Sequence, residues 1–203
     1  MDSNLINDTN STITKLKEKI DANKSIEIML HTNLNQKRYL GAHRFYKSGD
    51  NNDCMDDNNT YVMVHNEQKE GQEFKLIPID MNELIFEIQY ACKDYDQINW
   101  KLYVPVEGDQ DKYRVVLSKD KSSKWKLLPS GDIFVIQELV SECNLTCHKE
   151  TFVRDSASNF AYVTSPGMSG DVWKLNDYDG NDSISSYADD FEESPRSQIE
   201  ELD

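Results

Sequence analysis

Positive charge is scarce in this chain, which has 22 Lys and Arg residues against 37 Asp and Glu residues and a formal net charge of −15 at pH 7. A protein that binds nucleic acid neutralises phosphates with a surplus of Lys and Arg. The balance therefore predicts no nucleic-acid partner. The same shortage of positive charge argues against binding to anionic membrane surfaces.

Long apolar runs are also missing, because no stretch approaches the roughly 20 apolar residues of a membrane-spanning helix. The first five residues, Met1-Asp2-Ser3-Asn4-Leu5, lack the basic flank and apolar run of a secretory signal. We therefore expect a cytoplasmic protein. Cysteines persist as thiols in that compartment, and this is the state expected for Cys54, Cys92, Cys143 and Cys147.

The sequence signatures of catalysis and of cofactor binding are absent. The chain contains neither Gly-x-Gly-x-x-Gly nor Gly-x₄-Gly-Lys-Ser/Thr, so it has no phosphate-cradling loop. Residues Ser165–Gly170 include serines near glycines, but they lack the Gly-x-Ser-x-Gly pattern of a nucleophile elbow. We expect no enzyme activity and no cofactor.

One cluster has residue types that bind metal ions. Cys143, Cys147 and His148 form a Cys-x₃-Cys-His pattern, and thiolate and imidazole suit Zn²⁺. A structural zinc site needs four ligands, so a fourth would have to come from elsewhere in the chain. Because no second Cys pair stands at metal spacing, two ordinary thiols explain the cluster better, and we predict no metal site.

The most informative feature present is a cluster of an aromatic residue followed by Lys-Leu. It occurs as Phe74-Lys75-Leu76, Trp125-Lys126-Leu127 and Trp173-Lys174-Leu175, and the aromatics are 51 and 48 residues apart. Such a period indicates a repeated unit that buries its apolar face against its neighbours. We interpret Phe74, Trp125 and Trp173 as the repeated core positions of the fold.

Residues 25–176 consist of short runs rich in Val, Ile, Tyr, Phe and Thr, which is typical of an all-β domain. The pattern predicts twelve strands. They are Ile26–His31, Arg38–His43, Thr60–His65, Glu73–Pro78, Leu84–Tyr90, Ile98–Val104, Tyr113–Ser118, Lys124–Pro129, Asp132–Leu139, Lys149–Val153, Phe160–Thr164 and Val172–Asn176. The dense apolar run Ile133–Ile136 suggests a strand that is covered on both faces.

Three groups of four strands, each closed by an aromatic residue, resemble a β-trefoil. Ricin-B-like trefoils carry Gln-x-Trp in the closing strand, and a degenerate form stands here as Gln72-Glu73-Phe74, Ser123-Lys124-Trp125 and Asp171-Val172-Trp173. Arg38–His43 is similar to the Tyr-Leu-x-x-His strand of MIR-type and fascin-like trefoils. The resemblance implies three pseudo-repeats, at about residues 26–78, 84–129 and 132–176. Other closed or sandwiched β-structures are the alternative.

The two ends of the chain differ from this domain. Residues 1–24 are polar, with an amphipathic helix predicted over Thr12–Asp21 whose apolar stripe is Ile13, Leu16 and Ile20. This stripe could pack on the domain or on a partner. Residues 177–203 have ten acidic residues and one basic residue, a composition typical of a disordered acidic tail.

The tail has one motif of its own, in which Tyr187 and Phe191 stand four residues apart with Asp189 and Asp190 between them. This spacing places both rings on one face of a helical turn formed on binding. The segment resembles Tyr-Ser-Asp-Asp-Phe-Glu segments of ciliary and centrosomal proteins. We interpret Tyr187, Asp189, Asp190 and Phe191 as candidate partner-binding residues.

These observations favour a non-catalytic, intracellular protein-interaction module, working as an adaptor or as a cytoskeleton- or cilium-associated protein. Two alternatives stay open. One is a carbohydrate-binding lectin, because many trefoils bind sugars. The other is a trefoil-type protease inhibitor that would use the long Ser48–Asn59 loop.

Overall fold

The computed structural model describes residues 3–31, 38–42, 58–66, 72–93, 97–105, 114–152, 155–163 and 170–177. This part of the chain forms one helix, α1 (Ser3–Asp21), and twelve strands. The strands are β1 (Ile26–Leu30), β2 (Arg38–Ala42), β3 (Asn59–His65), β4 (Phe74–Asp80), β5 (Ile85–Tyr90), β6 (Lys101–Tyr103), β7 (Val116–Ser118), β8 (Trp125–Ser130), β9 (Ile133–Glu138), β10 (Leu145–Phe152), β11 (Asp155–Val163) and β12 (Trp173–Asp177).

Each strand predicted from the sequence overlaps one of these twelve, so the all-β fold class is confirmed. The largest errors in strand boundaries are in β10 and β11, which begin four and five residues earlier than predicted, and α1 begins nine residues before the predicted Thr12. The extension of β11, residues 155–159, is rich in Ser and Asn and has one apolar residue, whereas that of β10 is the short run Leu145-Thr146-Cys147-His148. The β10–β11 pairing also shifts register between Cys147 and Thr151, and such an irregularity interrupts the period of two on which the prediction depends.

Side chains alternate between the inside and the outside of the sheet. In β8, Trp125 and Leu127 are buried while Lys126 between them is partly exposed. In β9, Phe134 and Ile136 are buried and Val135 is partly exposed. The expectation that β9 is covered on both faces is therefore wrong, because its outward valine is a β-branched residue that also suits a half-exposed strand.

Backbone pairing closes the sheet through nine strands, in the order β1-β2-β3-β7-β6-β5-β8-β9-β12 and back to β1. Strand β4 pairs with both β1 and β5, and the β10–β11 hairpin extends from β3. The apolar core lies inside this barrel and includes Phe74, Trp125 and Trp173.

This closed nine-strand barrel corrects the β-trefoil expectation in its MIR-type, fascin-like and ricin-B-like forms. Strand β9 meets the residue before β10 through an isolated bridge, Gln137↔Asn144, and β5 and β6 likewise share a single pair, Gln89↔Lys101. The Glu138 carboxylate accepts hydrogen bonds from the backbone N–H groups of Val140 and Ser141. Strand β9 therefore ends in a tight turn, whereas β1 and β2 pair at two positions.

Helix α1 packs against the barrel with the apolar stripe that the sequence indicated. Leu16 is 3% exposed and belongs to the core cluster, and Ile13 and Ile20 pack against it. Two polar contacts also join the helix to the barrel. Near the middle of α1, Thr9 Oγ1 accepts a hydrogen bond from Gly131 N at 3.1 Å, and near its end Lys19 Nζ lies 3.1 Å from Asp177 Oδ1. The helix therefore docks on its own domain. Within the described residues, no helix combines the length and the apolar character that a membrane crossing requires.

We predict that Leu16→Ala lowers the free energy of unfolding by about 2–3 kcal/mol, because it removes a buried side chain from the joint between helix and barrel. Lys15→Ala is the matched control, since Lys15 is exposed on the same turn and should change stability by less than about 0.5 kcal/mol. Urea denaturation curves of both variants measure the difference. Equal midpoints for the two variants would show that α1 is not docked through Leu16.

Candidate functional site

The three repeated aromatics occupy equivalent, fully enclosed places. Phe74, Trp125 and Trp173 are each 0% exposed. Trp125 Nε1 donates to the carbonyl oxygen of Leu102 at 3.4 Å, and Trp173 Nε1 donates to that of Leu145 at 3.2 Å. Their rings face the barrel interior, so they offer no surface on which a ligand could stack.

The side chains two residues before Trp125 and Trp173 accept hydrogen bonds from neighbouring segments of the chain. Ser123 Oγ accepts from Val104 N at 3.1 Å. Asp171 Oδ2 accepts from Cys147 N at 2.6 Å and from Thr146 Oγ1 at 2.7 Å. These side chains therefore satisfy donors of neighbouring parts of the chain.

The cysteine cluster does not assemble a metal centre in the described residues. Cys143 and Cys147 are thiols, and Cys143 is buried. Burial raises the pKa of the Cys147 thiol, an effect partly offset by the Arg38 guanidinium, whose Nη1 lies 3.6 Å from the sulfur. In the part of the chain that the structure describes, no group of three or more His, Cys, Asp and Glu side chains could hold an ion. The side chain of His148 lies outside that part.

The tail candidates Tyr187, Asp189, Asp190 and Phe191 lie outside the described residues, as does most of the Ser48–Asn59 loop. The structure therefore neither brings the tail residues together nor separates them. Their proposed role is independent of the geometry that follows.

A different set of side chains comes together on the outer surface of the barrel, and we call it the aromatic–cationic face. It lies where β3, β6, β7 and β11 meet and consists of Tyr61, Tyr103, Arg114, Lys121, Phe160 and Tyr162. Of these residues, Phe160 is 7% exposed, Lys121 is exposed, and the other four are partly exposed.

Strand register creates this face. Tyr61, Val116 and Tyr103 lie directly opposite one another across β3, β7 and β6. Residues that are opposite in antiparallel ladders project from the same side of the sheet. Arg114 lies two residues before Val116, so it projects from the same side, and its backbone pairs with Tyr162 of β11.

Arg114 is the centre of the face. Its guanidinium carbon lies 4.0 Å from the ring centroid of Phe160, 5.2 Å from that of Tyr61 and 5.4 Å from that of Tyr162. Its Nε donates to the Tyr162 hydroxyl at 2.9 Å. Tyr61 and Phe160 meet edge to face with centroids 5.3 Å apart. A guanidinium in such surroundings is fixed in orientation by ring stacking and by its hydrogen bond.

The sequence carried a signal for this cluster that was not interpreted as a site. The third strand of each predicted group begins its apolar stretch with Tyr61, Arg114 or Phe160. A single cation thus stands at the position where the other two groups have aromatic rings. The pairing of β3 with β7 and with β11, and the bridge between Arg114 and Tyr162, bring the cation between the rings.

A second cation–aromatic contact continues the face into the connection between β7 and β8. Lys121 Nζ lies 5.4 Å from the Tyr103 ring centroid. Lys121 belongs to the segment from Lys119 to Lys124, which we call the basic loop. Lys119, Lys121 and Lys124 are all exposed there.

The carboxylate of Glu87 lies beside the basic loop and contacts both the loop and Lys101 of β6. Burial alone would raise the pKa of Glu87, but Lys101 Nζ and Ser122 Oγ donate to it at 2.7 Å and 2.6 Å. These hydrogen bonds, with the charges of Lys101 and Lys124, hold the pKa of Glu87 below its usual value. These contacts therefore favour the charged form of Glu87.

This arrangement suits recognition. Arginine stays protonated at every physiological pH, so Arg114 cannot act as a general base. Tyrosine and arginine provide large contact areas and directed donors, and both are enriched among the residues that dominate binding energy at protein interfaces.

Comparisons with known proteins identify a shared fold. No protein-family model and no curated protein matches the chain. A Caenorhabditis elegans protein of unknown function aligns with 76% of this chain and 93% of its own, with a TM-score of 0.51 and 11% identity. A Cysteine and Tryptophan-Rich salivary protein from Culex quiquefasciatus aligns with 76% of this chain and 94% of its own, with a TM-score of 0.52 and 14% identity.

The Saccharomyces cerevisiae protein O-mannosyltransferase Pmt1-Pmt2 complex also contains a similar region. It aligns with 76% of this chain but only 25% of the other chain, with a TM-score of 0.51 and 11% identity. Identities this low show the fold alone and transfer no activity.

We predict that Arg114→Lys lowers the free energy of unfolding by about 1–2 kcal/mol, because an ammonium group cannot both stack flat on Phe160 and donate in the geometry of Nε. Lys119→Arg is the reverse exchange at an exposed position and should be nearly neutral. Denaturant midpoints, with near-UV circular dichroism to follow the tyrosines, measure both. A wild-type midpoint for Arg114→Lys would contradict the central position of Arg114.

We also predict a pH-dependent effect of Glu87→Gln. Because the folded state lowers the pKa of Glu87, its stabilising contribution is present above the unfolded value near 4.5 and disappears as the pH falls through the folded value. The variant should be less stable at pH 7, by up to about 1 kcal/mol, and should match the wild type near pH 2. Glu83→Gln is the control, since this residue makes a 2.9 Å ion pair but is 61% exposed. A deficit that does not change with pH would exclude the electrostatic cause.

Proposed function

We propose that this protein is a non-catalytic protein-interaction module that works as an intracellular adaptor. The observation that carries the proposal is the aromatic–cationic face, in which Arg114 is stacked on Phe160 at 4.0 Å between Tyr61 and Tyr162. A binding surface of this composition gains affinity because its side chains are already ordered before the partner arrives.

The scaffold supports this role because the face rests on paired strands. Tyr61 and Tyr103 are held in register through Val116, and Lys121 N donates to Ser118 Oγ at 3.3 Å. Little conformational entropy is therefore lost when these groups are covered.

The tail provides a second contact in this proposal. Tyr187 and Phe191 present two rings at a spacing of four, with Asp189 and Asp190 between them. An amphipathic turn of this kind binds in an apolar groove of a partner. The likeness of the segment to those of ciliary and centrosomal proteins favours a cytoplasmic partner, with the cytoskeleton or the cilium as the first places to look for it.

Carbohydrate is the second candidate ligand, because the partly exposed rings of Tyr61 and Tyr162 could stack on a sugar. The two candidates differ in their response to free sugars. A sugar that binds the folded protein raises its melting temperature and displaces a glycan-borne partner.

We predict that Tyr187→Ala/Phe191→Ala full-length protein loses partners that the wild type captures from a lysate of its source cells, because the two rings provide the apolar contact. Tyr178→Ala is the control, since it removes a tail aromatic outside the motif.

The aromatic–cationic face is tested by Lys121→Glu, which reverses the charge of an exposed side chain. Lys93→Glu is its control, because Lys93 is also exposed. Quantitative mass spectrometry of the captured proteins measures each loss.

Specific loss with Tyr187→Ala/Phe191→Ala or Lys121→Glu, with the controls unchanged and the partners resistant to washing with mixed sugars, supports the adaptor function. Release by free sugar identifies a lectin instead. Equal losses with the test variants and their controls would contradict the proposal.

A further inference from the structure

We propose that the acidic C-terminal segment, residues 178–203, binds back onto the basic loop of the same molecule. The inference depends on the proposed function only for its consequence, which is that a partner must displace this contact to reach Tyr187 and Phe191. The contact itself can be measured without any partner.

The basic loop lies in one of a few stretches of this acidic chain that have an excess of positive charge. Residues 114–126 have five basic side chains and one acidic side chain, whereas the whole chain has a net charge of −15. Lys119, Lys121 and Lys124 are exposed. Like charges crowded into one loop repel each other, and an anionic segment placed over them relieves that repulsion.

The loop is also fixed in position. Lys119 N donates to the Asn58 carbonyl oxygen at 2.9 Å, and Ser123 N donates to that of Leu102 at 3.0 Å. Ser122 Oγ donates to Glu87 at 2.6 Å. The three lysines therefore extend from an ordered backbone and form a fixed positive surface.

The charge of the C-terminal segment identifies it as the segment that binds the basic loop. Residues 178–203 contain nine acidic residues and one basic residue, which is the complement of the loop. The tail also has aromatic rings close to its acidic run, at Tyr187 and Phe191. The loop has an aromatic neighbour of its own in Tyr103, over which Lys121 lies.

The segment is long enough to reach the loop. Strand β12 ends at Asp177 and is separated from β8 by the single strand β9. Strand spacing and the register along β8 place the start of β8 on the order of 30 Å from Asp177 over the surface. Asp189 follows Asp177 by 12 residues, which span about 40 Å when extended. The run from Asp189 to Glu193 can therefore cover the loop.

Carbodiimide cross-linking of the full-length protein tests the contact, because this reagent joins only carboxylates and amines that touch. Cross-linked monomers are isolated and mapped by mass spectrometry, at low ionic strength and in about 0.5 M salt, where exposed charges are screened. We expect tail carboxylates joined to Lys119, Lys121 and Lys124 at low salt and largely lost at high salt. Lys15 and Lys24 are controls, because they are exposed on the α1 region beside the point where the tail leaves.

A second measurement uses tryptic cleavage after Arg196, the one basic residue of the tail. In Lys119→Gln/Lys121→Gln/Lys124→Gln the released tail should be cleaved about threefold faster than in the wild type, a change typical of exposed charge contacts. Lys15→Gln/Lys17→Gln/Lys24→Gln is the matched control and should leave the rate unchanged.

Several results would overturn the proposal. They are cross-links spread equally over Lys15, Lys24 and the basic loop, cross-links to Lys37 or Lys47 instead, cross-links only between copies, or none at all. An unchanged cleavage rate in the loop variant would do the same. Failure of the capture experiment alone would remove the adaptor function and leave this contact standing.

Discussion

The indole N–H groups of two buried tryptophans impose the constraint on which the rest of this structure depends. Trp125 and Trp173 are 0% exposed, and each Nε1 donates to a backbone carbonyl of a neighbouring strand, at Leu102 and at Leu145. An indole buried without an acceptor would lose much of what its burial contributes. The strand that closes each repeat must therefore stand beside a chain with an available carbonyl oxygen. The barrel supplies such a carbonyl oxygen to both Trp125 and Trp173. Phe74 needs no acceptor, because its side chain has no polar atom.

The rings of Phe74, Trp125 and Trp173 fill the interior of the barrel. Other aromatic side chains lie on its outer surface. Tyr61, Phe160 and Tyr162 lie on the opposite side of their strands from Val62, Ala161 and Val163, which belong to the core. A cation among outward rings is stabilised by the ring quadrupoles, and the rings in turn are held by the cation. Arg114 therefore has a structural role, because it holds three rings of two strands together. The recognition role that we propose for it would use the same rigidity, since a surface that is already ordered loses little entropy when it is covered.

The sequence predicted the strands well because a period of two is a local property, which Trp125-Lys126-Leu127 shows in three residues. It failed at the level of topology, because the sheet closes as a nine-strand barrel and not as a β-trefoil. The turn after β9 is set by the Glu138 carboxylate and its bonds to Val140 and Ser141, and no repeat pattern reports such a side-chain contact. The aromatic–cationic face was missed for a related reason, since Tyr61 and Phe160 are far apart in the chain and meet only through register. Helix α1 was predicted in part. Its apolar stripe of Ile13, Leu16 and Ile20 is readable in the sequence, but the surface on which the stripe packs is not.

Charge is distributed in this protein in a way that its net value conceals. A chain with a formal charge of −15 gains solubility from mutual repulsion, but the same repulsion opposes any compact arrangement of acidic segments. Donors and ammonium groups beside a carboxylate lower that cost locally. The Lys101 ammonium and the Ser122 hydroxyl, with the charge of Lys124, hold the pKa of Glu87 below its usual value, so negative charge is stabilised at this carboxylate. Under the proposals made above, an acidic partner or the acidic end of the chain would use the same local excess of positive charge at Lys119, Lys121 and Lys124.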